Sequence, residues 1–117
     1  MQRFMLRSKI HRATLTGTEL DYEGSIAIDR DLMSAADLLP GEQVHVLNLN
    51  NGERLVTYVI AAPAGSGTML LNGPAARLGV RGDKVVVLAY AAASAAEAAS
   101  LRPIVVHVDE NNRSIAK

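Results

Sequence analysis

The sequence predicts a mainly-β fold, a small closed barrel with two or three short helices, and three observations carry that prediction. The apolar runs are short, rich in β-branched residues and bounded by turn signals, which favours strands over helices. An internal repeat offset by 41 residues sets Gly24-Ser25 on Gly65-Ser66, and Pro40 to Leu47 on Arg81 to Leu88. Two matching units are too few for a solenoid but suit one pseudo-symmetric barrel, whose closure removes exposed strand edges. The length, 117 residues with 49% hydrophobic, suffices for one domain with one core.

Strands are expected near residues 3–8, 10–16, 26–29, 43–49, 54–61, 68–71, 84–91 and 103–108. Asn51-Gly52 lies between the fourth and fifth and supplies the residues a tight hairpin turn needs. One helix should cover about Asp31 to Leu39 and stop at Pro40-Gly41. A second opens at Pro74, where a missing N–H costs nothing, and ends at Gly79. The alanine-rich stretch Ala91 to Leu101 offers a third, and the chain from Glu110 on is expected to be loose.

Twelve basic and twelve acidic residues cancel, so no nucleic acid or anionic membrane partner is favoured. The one basic cluster (Arg3, Arg7, Lys9, His11, Arg12) reads equally as a solvated strand face. With no cysteine there are no disulfides, thiolate metal sites or thiol nucleophiles. His11, His45 and His107 lack metal-site spacing, so no metal is expected, and His45 and His107 read as structural. The charged start and the lack of any apolar run near ~18 residues suggest neither signal peptide nor membrane span, hence a cytoplasmic setting.

Tyr22-Glu23-Gly24-Ser25 is the first candidate for chemistry. In isolation Gly-Ser is an ordinary turn, and Gly65-Ser66 shows that the fold itself asks for the pair. The bond becomes reactive when the serine hydroxyl is held against the preceding carbonyl. Attack turns the amide into an ester, elimination leaves dehydroalanine, and hydrolysis yields a pyruvoyl group at the new N-terminus. Glycine would tolerate the strain this requires, and the oxyanion on Gly24 needs a donor. Lys9 and His11 are two apart on one strand and share a face; Arg54 and Tyr58 share a face of another, with Thr57 on the opposite side. Should the two strands meet, three cationic groups and a phenol would converge on a dianionic substrate. Asn72-Gly73-Pro74-Ala75 leads into a helix start whose free N–H groups can meet anions, less the donor that Pro74 removes.

These residues resemble the aspartate 1-decarboxylase family, small pyruvoyl enzymes that make β-alanine for pantothenate synthesis. The resemblance rests on Met5-Leu6, Lys9, His11-Arg12, Tyr22 to Ser25 with Ala27-Ile28-Asp29, Asn51-Gly52, Arg54, Thr57-Tyr58 with Ile60 to Ala62, Gly65-Ser66, Asn72-Gly73 and Gly82-Asp83. They keep the family's order and spacing over about residues 1–90, and Arg102-Pro103 follows. The resemblance implies a double-psi β-barrel and a homotetramer with active sites between subunits. It also implies self-cleavage into residues 1–24 and 25–117, with or without a maturation factor. Ser25 would become the covalent pyruvoyl cofactor, in place of pyridoxal phosphate, and L-aspartate would be the substrate. Tyr58 would donate a proton, Thr57 would contact substrate and aid cleavage, and Arg54 would anchor a carboxylate. Lys9, His11, Asn72, Gly73, Pro74 and Ala75 would complete the pocket. Proline at 74 departs from the family's frequent alanine and removes one backbone donor. Two alternatives stand beside this reading: a non-catalytic barrel module that shares only the fold, and a pyruvoyl enzyme for another amino acid such as glutamate.

Overall fold

The computed structural model describes residues 1–116 and shows a mainly-β barrel with nine strands among them. These are β1 (Gln2–Thr14), β2 (Gly17–Glu19), β3 (Ser25–Asp29), β4 (Gln43–Asn48), β5 (Arg54–Ala62), β6 (Met69–Asn72), β7 (Lys84–Ser94), β8 (Ile104–Val108) and β9 (Ser114–Ile115). Three short helices join them: α1 (Arg30–Ala35), a 3-10 helix (Gly73–Leu78) and α2 (Ala95–Ser100). The strands run in the order β2-β6-β3-β5-β4-β7-β1-β8-β9.

The sheet closes because β1 runs straight on into β2. Between them, Leu15 N–H donates to the Asp83 carbonyl at 2.8 Å and Thr16 N–H donates to the Met69 carbonyl at 2.8 Å. One stretch of chain thus lines β7 at one end and β6 at the other, which brings the two ends of the order together. The core inside is aliphatic: Ile10, Ile28, Val44, Val46, Val59 and Val85 are fully buried. The alternation along β4, with Val44, Val46 and Asn48 buried and His45 and Leu47 facing out, is the period-2 pattern of a half-buried strand.

The repeat is visible as symmetry. Ile28 pairs with Met69 across β3 and β6, and Val46 with Val87 across β4 and β7, both antiparallel. Each pair is separated by the 41 residues of the sequence repeat. A pseudo-twofold axis through both pairs relates the halves, and each half supplies one parallel pairing, β3 with β5 and β2 with β6. This agrees with the double-psi arrangement expected.

Several expected elements change. The strands expected over 3–8 and 10–16 are one continuous β1, bent by irregularities at Leu6/Ser8 and Ile10/Ala13, with Arg12 at φ 64°. β7 on one side and β8 on the other hold this single strand across both bends. The first helix ends at Ala35 rather than Leu39. The alanine-rich stretch begins as strand, because Ala91 to Ala93 pair with Met5 to Arg3. Helix starts only after Ser94, where Ser94 and Glu97 form a reciprocal cap. The chain after Glu110, expected to be loose, carries β9 and the buried Asn112. The Asn112 amide donates to the carbonyls of Thr14 and Gly67, both at 2.8 Å, and its oxygen accepts from Thr14 N–H at 2.8 Å.

Asp29 anchors the end of β3. Its buried carboxylate accepts from Gly65 N–H at 3.1 Å, Gly67 N–H at 2.8 Å and Asp31 N–H at 2.8 Å, with Arg113 at 3.7 Å. Burial pushes its pKa up, but the Gly67, Asp31 and Gly65 N–H groups, with the Arg113 charge, outweigh that and hold it below the ordinary value.

Candidate active site

Ser25 opens β3 and is completely buried. Its Oγ accepts a hydrogen bond from Asn72 Nδ2 at 2.9 Å, and the two residues are partners in the β3–β6 ladder. Asn72 precedes the 3-10 helix, where asparagine usually caps, yet its side chain makes no capping bond there. The amide is committed to Ser25. Because the amide donates, the hydroxyl proton of Ser25 stays available to another acceptor.

Gly73 fixes the backbone on the other side of the junction. At φ 63°, a Cβ here would lie 2.7 Å from Gly24 N and from Tyr22 O. The turn Tyr22–Gly24 is packed directly on this glycine. Strain was expected at Gly24 itself. Its φ is not positive, and a Cβ there would make only an ordinary 3.6 Å contact with Pro74. The glycine the geometry requires is Gly73.

The Gly24 side of the junction opens on a cavity of about 360 Å³ that is also lined by Thr57, Tyr58, Pro74 and Ala75. The β3–β5 register explains the meeting: Ile26 pairs with Val59, so one step back along the ladder leads from Ser25 to Tyr58. Thr57 pairs with the inward Val44, whereas Tyr58 is 39% exposed on the outer side. Both reach the cavity from opposite faces of β5.

The two cationic groups on β1 are elsewhere. β4 and β7 separate β1 from β5, so three strand spacings, about 14 Å, lie between Lys9 or His11 and the strand of Tyr58. The strands do not meet within one chain, and the expected convergence is corrected to this extent. His11 instead sets its ring edge-on to His107, 5.6 Å away on β8. Arg54 is exposed at the start of β5, and its guanidinium reaches His45 Nδ1 at 3.2 Å. That contact escaped the sequence reading; only the pairing of β4 with β5 reveals it.

The repeat provides an internal control. Ser66, the counterpart of Ser25, is exposed and accepts from Thr68 Oγ1 at 2.8 Å. Nearby, Asn112 bonds to the carbonyls of Thr14 and Gly67 and lines a cavity with Ser66. Burial and the asparagine contact belong to Ser25 alone of the pair.

Fold and site together define a small mainly-β barrel with a candidate active site centred on a serine. The sequence model of the aspartate decarboxylase family matches residues 1–115, and the chain belongs to that family. It is similar to the aspartate 1-decarboxylase of Dehalococcoides mccartyi (strain ATCC BAA-2266 / KCTC 15142 / 195), 59% identical over 93% of this chain and 88% of the relative. That of Maricaulis maris is 56% identical over 100% of this chain and 97% of its own. Aspartate 1-decarboxylase 1 of Gloeobacter violaceus is 57% identical over 99% and 98%. These relatives bear the name of an enzyme, and nothing favours the alternative of a non-catalytic binding module.

Proposed function

We propose that the protein is a lyase that converts L-aspartate to β-alanine and carbon dioxide for pantothenate synthesis, after cutting itself between Gly24 and Ser25. The observation that carries this reading is the buried Ser25 hydroxyl, held by Asn72 beside the Gly24 cavity. In the cut, Ser25 Oγ attacks the Gly24 carbonyl and the peptide C–N bond breaks, leaving an ester and a free amine. Loss of the Gly24 carboxylate and hydrolysis, with release of ammonia, complete the conversion of Ser25. Thr57 shares the cavity with Gly24, which supports it as donor to the oxyanion.

The residues present fit a pyruvoyl group: Ser25, whose carbons would form it, is fully buried, and the Asn72 amide that holds its Oγ would be left a free donor once that oxygen departs with Gly24. Once formed, the group supplies an electron sink for the pair released as carbon dioxide leaves. Around it, Tyr58 holds a proton for the former α-carbon of the substrate, and the backbone of Gly73 to Ala75 lies against the substrate's length. Arg54 binds the retained carboxylate. Lys9 and His11 complete the pocket from a neighbouring subunit of a homotetramer, a reading supported by their distance from Tyr58 along the sheet.

Intact mass measurement of the purified protein tests the proposal. Two fragments, residues 1–24 and 25–117, are expected, the larger blocked by a carbonyl that reacts with phenylhydrazine. A folded chain that stays whole and turns over aspartate would overturn it.

A further inference from the structure

We propose that His45 is a positioning residue for Arg54, and through it sets how tightly the protein holds a dicarboxylate. The inference rests on Arg54 as the carboxylate anchor. An arginine guanidinium only donates hydrogen bonds, so the 3.2 Å contact requires His45 Nδ1 to be the unprotonated acceptor, with its proton on Nε2. The bond runs diagonally across the ladder. Arg54 pairs with Leu47, whereas His45 pairs with Val56, one row nearer to Tyr58. His45 therefore draws the guanidinium along the strand toward the Tyr58 end and holds it there, leaving the other N–H groups free to grip a carboxylate two at a time.

The histidine is itself braced. Its ring meets Tyr90 edge-on at 5.1 Å, and together with Phe4, Gln43 and Ala92 the two rings line a cavity on the outer face of the barrel. Arg54 on β5 and Tyr90 on β7 are the ionisable groups that face it directly. Lys9 on β1 shares the outer face one strand beyond, since Lys9 and His45 both pair with Leu88. Without the His45 acceptor Arg54 leaves its held position, and affinity for the dianionic substrate should fall.

His45→Phe keeps the ring against Tyr90 and removes the acceptor; His45→Asn keeps an acceptor near the Nδ1 position. With the processed protein, the first should raise KM for L-aspartate about tenfold, and by more than it lowers kcat. The second should keep KM near the parent value. Calorimetry with succinate, which has both carboxylates and no amino group, should show the same order of dissociation constants. Nitrogen NMR of the ring should report the Nε2–H form. Equal KM and succinate affinity in His45→Phe and parent, with unchanged thermal midpoints, would overturn the inference. Arg54→Ala separates the two levels: if it too leaves succinate binding unchanged, the anchor role of Arg54 fails; if it weakens binding while His45→Phe does not, only the role of His45 fails.

Discussion

Asn72 sits where a helix start and a strand pair make competing claims on one amide. Its side chain serves Ser25 and leaves the 3-10 helix uncapped, so replacing it should cost the helix little and the junction much. Asn72→Ala is expected to lower stability by about 1 kcal/mol while slowing the appearance of fragments 1–24 and 25–117, followed by denaturing gel. Ser25→Ala should leave the chain whole and without decarboxylation; Tyr58→Phe should spare the cut and slow turnover, measured as carbon dioxide release. Asp29 makes a different kind of prediction. Its folded pKa is held low, so its contribution to stability is complete above the unfolded value of 3.8 and is lost as pH falls through the folded one. Asp29→Asn should cost about 1–3 kcal/mol at neutral pH, because the amide nitrogen would confront a glycine N–H. The variant should also show a flatter loss of stability in acid, read by chemical denaturation between pH 2 and 5, roughly the range of carboxylate titration.

At the scale of elements, the site depends on how the 3-10 helix enters against the Tyr22–Gly24 backbone. Gly73→Ala should be among the most damaging single changes, since both its positive φ and a 2.7 Å approach to two backbone atoms resist a methyl group. A loss of about 2–4 kcal/mol is expected, with fewer molecules cut, seen by thermal melts of freshly purified chain. The elements that sequence patterns disclosed were those whose own residues determine them: the Asn51-Gly52 hairpin, the short β-branched strands, the proline-initiated helix. Those misread were set by distant partners. Alanine favours helix, yet Ala91 to Ala93 stay in strand because β1 lies alongside. Ser8 and Lys9 interrupt the apolar pattern of β1, and only the length of β7 shows that the strand continues. Ser25, Thr57 and Tyr58 could be named from the sequence because each falls in a compact motif. His45 could not, because its meeting with Arg54 is a property of strand register and not of spacing.

The whole molecule is two similar halves that differ in what has been done with each. Both halves present a Gly-Ser at the same place; one is enclosed and bonded to Asn72, and the other stays exposed beside the Asn112 segment that bonds to Gly67. Ending the chain after Asp109 should therefore weaken the barrel by about 2–4 kcal/mol, through loss of a buried, fully bonded amide, and should leave Ser25 chemistry intact, both measured on the same sample. Among the described residues no helix is long and apolar enough to cross a membrane.

The strand that closes the barrel, β1 running on into β2, lies wholly on the N-terminal side of the proposed cut. Once Gly24 and Ser25 part, closure no longer joins two stretches of one chain; it becomes an association of two molecules, and its free energy acquires a dependence on concentration. A processed sample diluted in denaturant would have to find its missing strand again from solution, whereas the uncut precursor carries it tethered. The order of events follows: the fold must be complete before the bond is broken, and the mature protein should keep its shape without retaining the ability to regain it once its pieces are dispersed.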